Sequence, residues 1–211
     1  MILGIVGFAG SGKDTCGAFL EELGWVRESF AKPVKDAVAA IFGWDRELLE
    51  GKTPESRAWR EKPDNVWSYH FGRPFSPRDA LQKMGTEVGR DVYHPDVWVA
   101  SLVERIFNDH IQKTKNFVIT DVRFPNEIKT INENGGKVIR VKRGPDPLWY
   151  DYAAIWNNIK DPDNTLSIPT MLTNIHPSER VWIGNPGISE TLENDGTLEE
   201  LKTKLLQIVQ V

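Results

Sequence analysis

The sequence predicts a three-layer α/β domain: a mostly parallel five-stranded sheet with helices on both faces. Three observations carry this expectation. Apolar, β-prone runs recur at 2–6, 25–30, 116–121, 137–141 and 188–192, with segments of helical spacing between most of them. Consecutive runs are separated by connections long enough to be crossovers, which parallel strands require and which place helices on the faces. The first run breaks into glycines and leads at once into a helical series, so strand, loop and helix follow without a gap.

That first unit organises the rest. Ile2 to Val6 is the strand, Gly7, Gly10 and Gly12 interrupt it, and Cys16, Phe19, Leu20 and Leu23 give the helix its apolar side. The spacing from Gly7 to Gly12-Lys13 fits a phosphate-binding loop, where backbone N–H groups and a helix N-terminus converge on a polyphosphate. Glycine is required because side chains block close approach, and the lysine brings a mobile positive charge to the terminal phosphates. Ala9, Gly10, Ser11, Gly12, Lys13, Asp14 and Thr15 are therefore the candidates for holding a nucleotide's phosphates. Asp14 stands where a metal-coordinating Ser or Thr is usual; Thr15 supplies a hydroxyl one position later, and either residue is a candidate for Mg²⁺. The competing structural interpretation is a glycine-rich turn with an incidental lysine, disfavoured by the strand before it and the helix after it. The expectation is thus the P-loop NTPase fold, with inserted lid and substrate-binding segments, in one domain spanning 1–211.

Trp25 to Phe30 is a short strand, and Pro33 starts a second helix with Val34, Ala37, Val38 and Ile41 on one face. Lys35 lies near its start, at a strand's carboxyl end, where open α/β sheets bind ligands. Residues 44–75 are polar and weakly periodic, with Trp59, Trp67, Tyr69, Phe71 and Phe75 among Arg57, Arg60, Lys62 and Arg73. A substrate-side insertion is favoured there, against a small satellite core. Ser76-Pro77 starts a helix carrying Arg78, Leu81, Met84 and Val88, interrupted near its end around Gly85-Thr86 and Arg90. His94-Pro95-Asp96 begins another, with Trp98 beside a stripe of Val99, Leu102, Val103, Ile106 and Phe107.

Asn116 to Asp121 is a buried-type strand ending in a carboxylate, and Val122-Arg123-Phe124-Pro125 turns into a helix with Glu127, Ile128 and Ile131 that stops at Gly135-Gly136. Lys137 to Val141 is the fourth strand, and Arg143 just beyond it is a candidate to stack on the donor's base. Residues 145–187, rich in Pro, Asn and Asp, suit a lid or irregular insertion. Ile188 to Leu192 is the last strand, and Thr197 with Glu200 makes a capping box for a final helix whose inward face is Leu198, Leu201, Leu205 and Val209.

Phosphoryl transfer needs positioning and charge neutralisation more than covalent work by the protein. Lys13, Asp121 and Arg123 are the catalytic candidates, with Asp121 placed to orient a metal or a substrate group. Lys35, Arg78, Arg90 and Arg123 are the cations expected around an anionic acceptor. For Arg123 the structural alternative is an i to i+4 ion pair with Glu127.

Composition narrows the classes. A 211-residue chain with 40% hydrophobic and 27% charged residues is an ordinary globular one, and its net charge of −4 argues against a protein that grips nucleic acid. A single cysteine, Cys16, excludes an internal disulfide framework and suits a reducing cytosol. No apolar run approaches a membrane span, and the first strand leaves no room for a targeting peptide after Met1. Several of the eight tryptophans stand in polar surroundings that core packing explains poorly.

On these residues the chain resembles the deoxynucleoside monophosphate kinases of tailed bacteriophages. The matching stretches are Gly12-Lys13-Asp14-Thr15, Ala31-Lys32-Pro33-Val34-Lys35, Arg78 leading into Leu81-Gln82-Lys83-Met84-Gly85-Thr86, and Trp98. They continue with Asp121-Val122-Arg123 and Glu127, His176-Pro177-Ser178-Glu179, and Asn194-Asp195-Gly196-Thr197-Leu198-Glu199-Glu200-Leu201. The resemblance implies transfer of the γ-phosphate of ATP to a deoxynucleoside 5′-monophosphate, with Mg²⁺, in the host cytoplasm. Arg78, Trp98, Arg123 and Glu127 then match positions that meet the acceptor, and Gly85-Thr86 lines the same pocket. The partners are small molecules, with no stable nucleic acid and no membrane, and a homodimer is compatible with the sequence. Two rivals stay open: another small kinase of this fold, acting on dephospho-coenzyme A or phosphomevalonate, and a nucleotide-binding module without catalysis.

Overall fold

Strand β1 (Ile2–Val6) is buried along its whole length, and its alternation decides which helices meet which face of the sheet. Leu3 and Ile5 share a core with Cys16 and Leu20 of α1 (Lys13–Glu22) and with Leu201, Leu205 and Ile208 of α12 (Leu198–Val209). Gly4 faces the other way, where a Cβ would stand 2.7 Å from Ile131 of α8 (Pro125–Glu133); glycine lets that helix approach. This computed structural model describes residues 1–107, 115–159 and 166–209.

The five strands lie in the order β2-β3-β1-β4-β5, with β2 (Val26–Glu28), β3 (Phe117–Ile119), β4 (Lys137–Lys142) and β5 (Ile188–Glu193), and all four pairings are parallel. The three-layer expectation therefore holds. Central strands β1, β3 and β4 read as near-continuous Val and Ile because helices cover both their faces. The final helix departs in detail: Leu198 is 64% exposed, and the inward face is Leu201, Leu205 and Ile208. Helical side chains lean toward the N-terminus, so the first residue projects past the helix end. Ile41 and Leu23, expected on buried faces, are also exposed.

The chain divides into two compact units, Met1–Ser29 with Ile111–Val211, and Phe30–His110. The first contains the sheet and the segment after β4, which forms α9 (Tyr150–Asn158), α10 (Thr170–Thr173) and α11 (Pro177–Arg180); residues 160–165 of that segment lie outside the described residues.

The second unit is helical among its described residues: α2 (Lys32–Phe42), α3 (Arg46–Glu50), α4 (Pro54–Glu61), α5 (Asn65–Phe71), α6 (Pro77–Lys83), a π-helical continuation over Met84–Tyr93, and α7 (Val97–Phe107). The stretch 44–75 that lacked clear periodicity is three short helices, each started by a side chain at its N-cap: Asp45, Thr53 and Asp64. Its tryptophans are core after all. Trp44, Trp59 and Trp67 pack with Phe42 around Val38, Leu49 and Phe75. Two of their indole N–H groups are satisfied, Trp44 by Asp64 at 3.0 Å and Trp67 by the Phe42 carbonyl at 3.1 Å.

Candidate functional site

The loop after β1 is held in place from several sides. Gly7 takes φ +146° and its α-carbon lies against the Val141 carbonyl and the Ser11 hydroxyl, so any Cβ there would overlap them. Ser11 N–H donates to the Phe8 carbonyl at 3.2 Å, closing the turn, and Gly12 at φ +108° opens α1. A Cβ on Gly12 would overlap the side-chain amide of Asn194, which donates to the Ser11 carbonyl at 2.8 Å. Below the loop, the Phe8 ring packs edge-on to Trp149 at 5.6 Å and against Trp182 at 5.2 Å. The guanidinium of Arg140, from β4, lies over Tyr150 and Trp182 in the same cluster and pairs with Asp146.

Lys13 turns back onto this loop. Its ammonium donates to the carbonyls of Gly7 and Phe8, both at 2.7 Å. Burial, followed by the positive charge of Arg123, pushes its pKa below the usual lysine value, against the raising influence of Asp14 and Glu179. The field of Arg123 thus reaches the loop lysine, bringing two of the three catalytic candidates into one electrostatic neighbourhood. The Ser11 hydroxyl is buried with no hydrogen-bond partner among the described residues.

Around the loop the predicted residues take distinct places. Asp14 pairs with Arg27 of β2, whose guanidinium also donates to the Thr120 hydroxyl at 2.8 Å. Gly17 permits this, since a Cβ there would stand 2.8 Å from Thr120 and 3.3 Å from the Arg27 guanidinium carbon. Thr15 lies on the first turn of α1, half-buried, and Asp121 just beyond β3 is also half-buried. The Arg123 guanidinium donates to Ser178 at 3.3 Å and Glu179 at 3.2 Å, both on α11. The expected alternative pairing with Glu127 does not form with this side chain. Glu127, 2% exposed, instead accepts from the backbone N–H groups of Arg123 at 2.7 Å and Phe124 at 3.0 Å, satisfying the start of α8. Arg143 is exposed on the turn after β4, next to Gly144, whose N–H donates to Asp195 at 2.7 Å.

Within the second unit, Lys35 donates to Glu50 at 2.5 Å and Arg46 reaches the other oxygen of that carboxylate at 2.7 Å. Burial raises the Glu50 pKa, but hydrogen bonds from Lys35 and Arg46 outweigh it and hold the carboxyl at about 2. Arg78, largely exposed, pairs with Glu61 at 3.0 Å. Arg60 lies close enough to Arg78 and Arg57 that, after burial, their charges lower its pKa further. Its Nε is buried without a hydrogen-bond partner among the described residues. Trp98 is buried; its indole N–H donates to the Gly85 carbonyl at 2.8 Å, and its ring covers Gly89, where a Cβ would overlap it. Thr86 and Arg90 lie half-buried on the same π-helical segment, and Arg90 donates to the Pro95 carbonyl at 3.0 Å.

Arg27 has no role in the sequence reading; Arg60 enters it only among the cations of the 44–75 insertion, and Asn194 only in a stretch that carries the family resemblance. Neither Arg27 nor Asn194 had a local signal for its contact, because their partners are distant in the chain.

A family model described as deoxynucleotide monophosphate kinase matches residues 50–147. A protein of Acanthamoeba polyphaga mimivirus, assigned by name as a deoxynucleotide monophosphate kinase, is 35% identical over 154 residues, covering 68% of this chain and 74% of its own. The deoxynucleoside-5′-monophosphate kinase of Escherichia phage T5 is 29% identical over 185 residues, covering 63% of this chain and 72% of its own. Among solved structures, a dephospho-CoA kinase from Campylobacter jejuni is similar with a TM-score of 0.49 and 14% identity, over 99% of this chain and 95% of that one.

Proposed function

Because this chain belongs to the deoxynucleotide monophosphate kinase family, we propose that it moves the γ-phosphate of ATP to the 5′-phosphate of a deoxynucleoside monophosphate, releasing ADP and a deoxynucleoside diphosphate. The observation that carries the donor half is Lys13. Its ammonium is bound to two loop carbonyls, and burial together with Arg123 makes its charge costly until an anion arrives. The loop fits a polyphosphate in two further respects. The orphaned Ser11 hydroxyl has a proton to donate, and nothing lies within 4 Å of the position a Cβ on Gly10 would take.

On this reading the loop from Ala9 to Thr15 receives the donor phosphates through its N–H groups and the start of α1. Lys13 leaves the two carbonyls for the terminal phosphates. Arg123 swings from Glu179 to the oxygens that gain charge as the phosphoryl group transfers. Mg²⁺, when bound, would supply charge neutralisation for the phosphates. Since Asp14 is paired with Arg27, we assign the Thr15 hydroxyl and Asp121 to the metal's coordination shell. Arg143 is the residue we assign to the donor's base.

Candidates for acceptor recognition are assigned within each unit, taken by itself. In the second, we assign the acceptor phosphate to Arg60 and Arg78, since burial and the charges of Arg78 and Arg57 disfavour the Arg60 charge against the opposing Glu61 and Glu50, and Lys35, Arg90, Gly85, Thr86 and Trp98 complete the recognition set. In the first, Arg123 addresses the acceptor phosphate, while Glu127 supports it by holding its backbone N–H.

The test is an acceptor panel. ADP release with dGMP, dTMP, dCMP or dAMP is expected; turnover confined to a non-nucleotide acceptor, or none with any acceptor at saturating ATP, rejects the proposal.

A further inference from the structure

We infer that Asn194 is a positioning residue for the donor phosphates: it fixes the Ser11–Gly12 peptide so that the Gly12 N–H faces the phosphate site. The inference rests on the proposal that this loop binds the donor's phosphates.

Asn194 follows β5 and is buried, as is its hydrogen bond from Nδ2 to the Ser11 carbonyl at 2.8 Å. The orientation of its amide is dictated by chemistry, since only the NH₂ end can meet a carbonyl oxygen. Its own backbone N–H donates to the Lys142 carbonyl at 2.7 Å, so the residue is anchored to the end of β4 before its side chain reaches the loop. The neighbouring Asp195 carboxylate accepts from Gly144 N–H at 2.7 Å, and Thr197 with Glu200 closes the start of α12. Fastened at both ends, this turn presents the Asn194 amide as a fixed donor.

A trans peptide is planar, with its C=O and N–H pointing in opposite directions. The chain contains no cis peptide bond among the described residues. Drawing the Ser11 carbonyl toward the buried Asn194 therefore turns the Gly12 N–H to the opposite side, the side we assign to the phosphates. Gly12 is also the residue whose carbonyl receives the first helical hydrogen bond of α1, from Cys16 at 3.0 Å. One side-chain bond thus aims an N–H donor and the N-terminus of the helix together. Gly12 must lack a Cβ because that atom would occupy the place of the Asn194 amide.

Asn194→Asp keeps the size but replaces the donor by a carboxylate opposite a carbonyl. Binding of ATP and of inorganic tripolyphosphate is measured by calorimetry at pH 8 and pH 5.5, alongside the KM for the deoxynucleotide. We expect at least tenfold weaker binding of both phosphate ligands at pH 8, with unchanged acceptor KM. Partial recovery at pH 5.5 is expected beyond any change in the wild type, because the protonated carboxyl again donates. Asn194→Ala, which removes the donor without adding charge, is expected to weaken both ligands three- to tenfold, and it decides the matter if Asn194→Asp does not fold. Wild-type-like tripolyphosphate binding in the folded variants overturns the inference, including the case where ATP alone is weakened, which places Asn194 at the base. Failure of the wild type to bind either ligand instead defeats the phosphate-loop proposal itself.

Discussion

The guanidinium of Arg27 pairs with the carboxylate of Asp14, so the residue directly after the loop lysine is committed to a β2 side chain. This separates the two metal candidates. Asp14→Asn should leave the Mg²⁺ concentration for half-maximal activity within about threefold of wild type, because a mostly exposed ion pair contributes only about 0–1 kcal/mol. A tenfold rise in that concentration would return Asp14 to the metal's shell. Thr15→Val is expected to raise the requirement.

Lys13→Met removes the cation we assign to the transferring phosphate. Loss of such a preorganised group should lower kcat by about 10²–10³-fold with little change in Tm. The wild type carries a pH signature as well. Burial and Arg123 depress the folded-state pKa of Lys13, so folded stability from this group rises as pH climbs from that value toward 10.5. Donor phosphates favour the charged lysine, and ATP affinity should therefore fall over the same window. A Lys13→Met variant with an equally steep ATP affinity profile there would assign the titration elsewhere.

Glu179 shares its negative charge between Arg123 and Lys13, the two cations we assign to the donor phosphates. Glu179→Gln should tighten ATP binding about two- to fivefold, the range of a partly screened charge of less than 1 kcal/mol, and raise kcat modestly, because Arg123 no longer has to leave a carboxylate to reach the phosphates. Arg123→Ala should reduce kcat more than it raises the KM for ATP. Steady-state kinetics of the pair separates these outcomes, and an unchanged kcat in both would leave the ion pair a purely structural one.

In the second unit, Glu50→Gln strips Lys35 and Arg46 of their shared partner. With the Glu50 carboxyl held at about 2, its stabilisation is fully present above about pH 4.5 and disappears as pH falls toward 2. The substitution should cost roughly 1–3 kcal/mol at neutral pH, seen as a lower Tm, and less at pH 3. Equal Tm at pH 7 would show the cluster to be energetically neutral.

Gly89→Ala places a methyl group in the Trp98 ring and 2.8 Å from the Met84 carbonyl. Overpacking of this kind costs about 1–3 kcal/mol, and the π-helical segment carrying Thr86 and Arg90 should shift with it. Trp98→Phe keeps the ring but loses the bond to Gly85, for about 1 kcal/mol. Both variants should raise the acceptor KM and leave ATP binding alone; the reverse pattern would detach this segment from acceptor recognition.

The sheet and the loop were legible because their signals are local: Gly7, Gly10 and Gly12 are demanded by backbone geometry, and β1, β3 and β4 by burial on both faces. The helices of 44–75 were not, since α3 and α5 span only five and seven residues, too few for a period to emerge. Their caps at Asp45, Thr53 and Asp64 were the better guide. Glu127 shows the opposite difficulty. Its spacing from Arg123 suggested an ion pair, but the uncapped N–H groups at the start of α8 claim the carboxylate first. Partners far apart in the chain, such as Arg27 with Thr120 or Asn194 with Ser11, leave no mark on local spacing at all.

The ring of Phe8, wedged among Trp149, Tyr150 and Trp182, makes the protein its own optical reporter. Any rearrangement of the nucleotide's cradle must disturb two indoles whose emission responds to their packing and to the nearby Arg140 charge. Titrating ATP while following fluorescence in the wild type and in Trp149→Phe and Trp182→Phe variants would then show, by difference against the other tryptophans, how much of the change these two indoles carry, without attaching a dye.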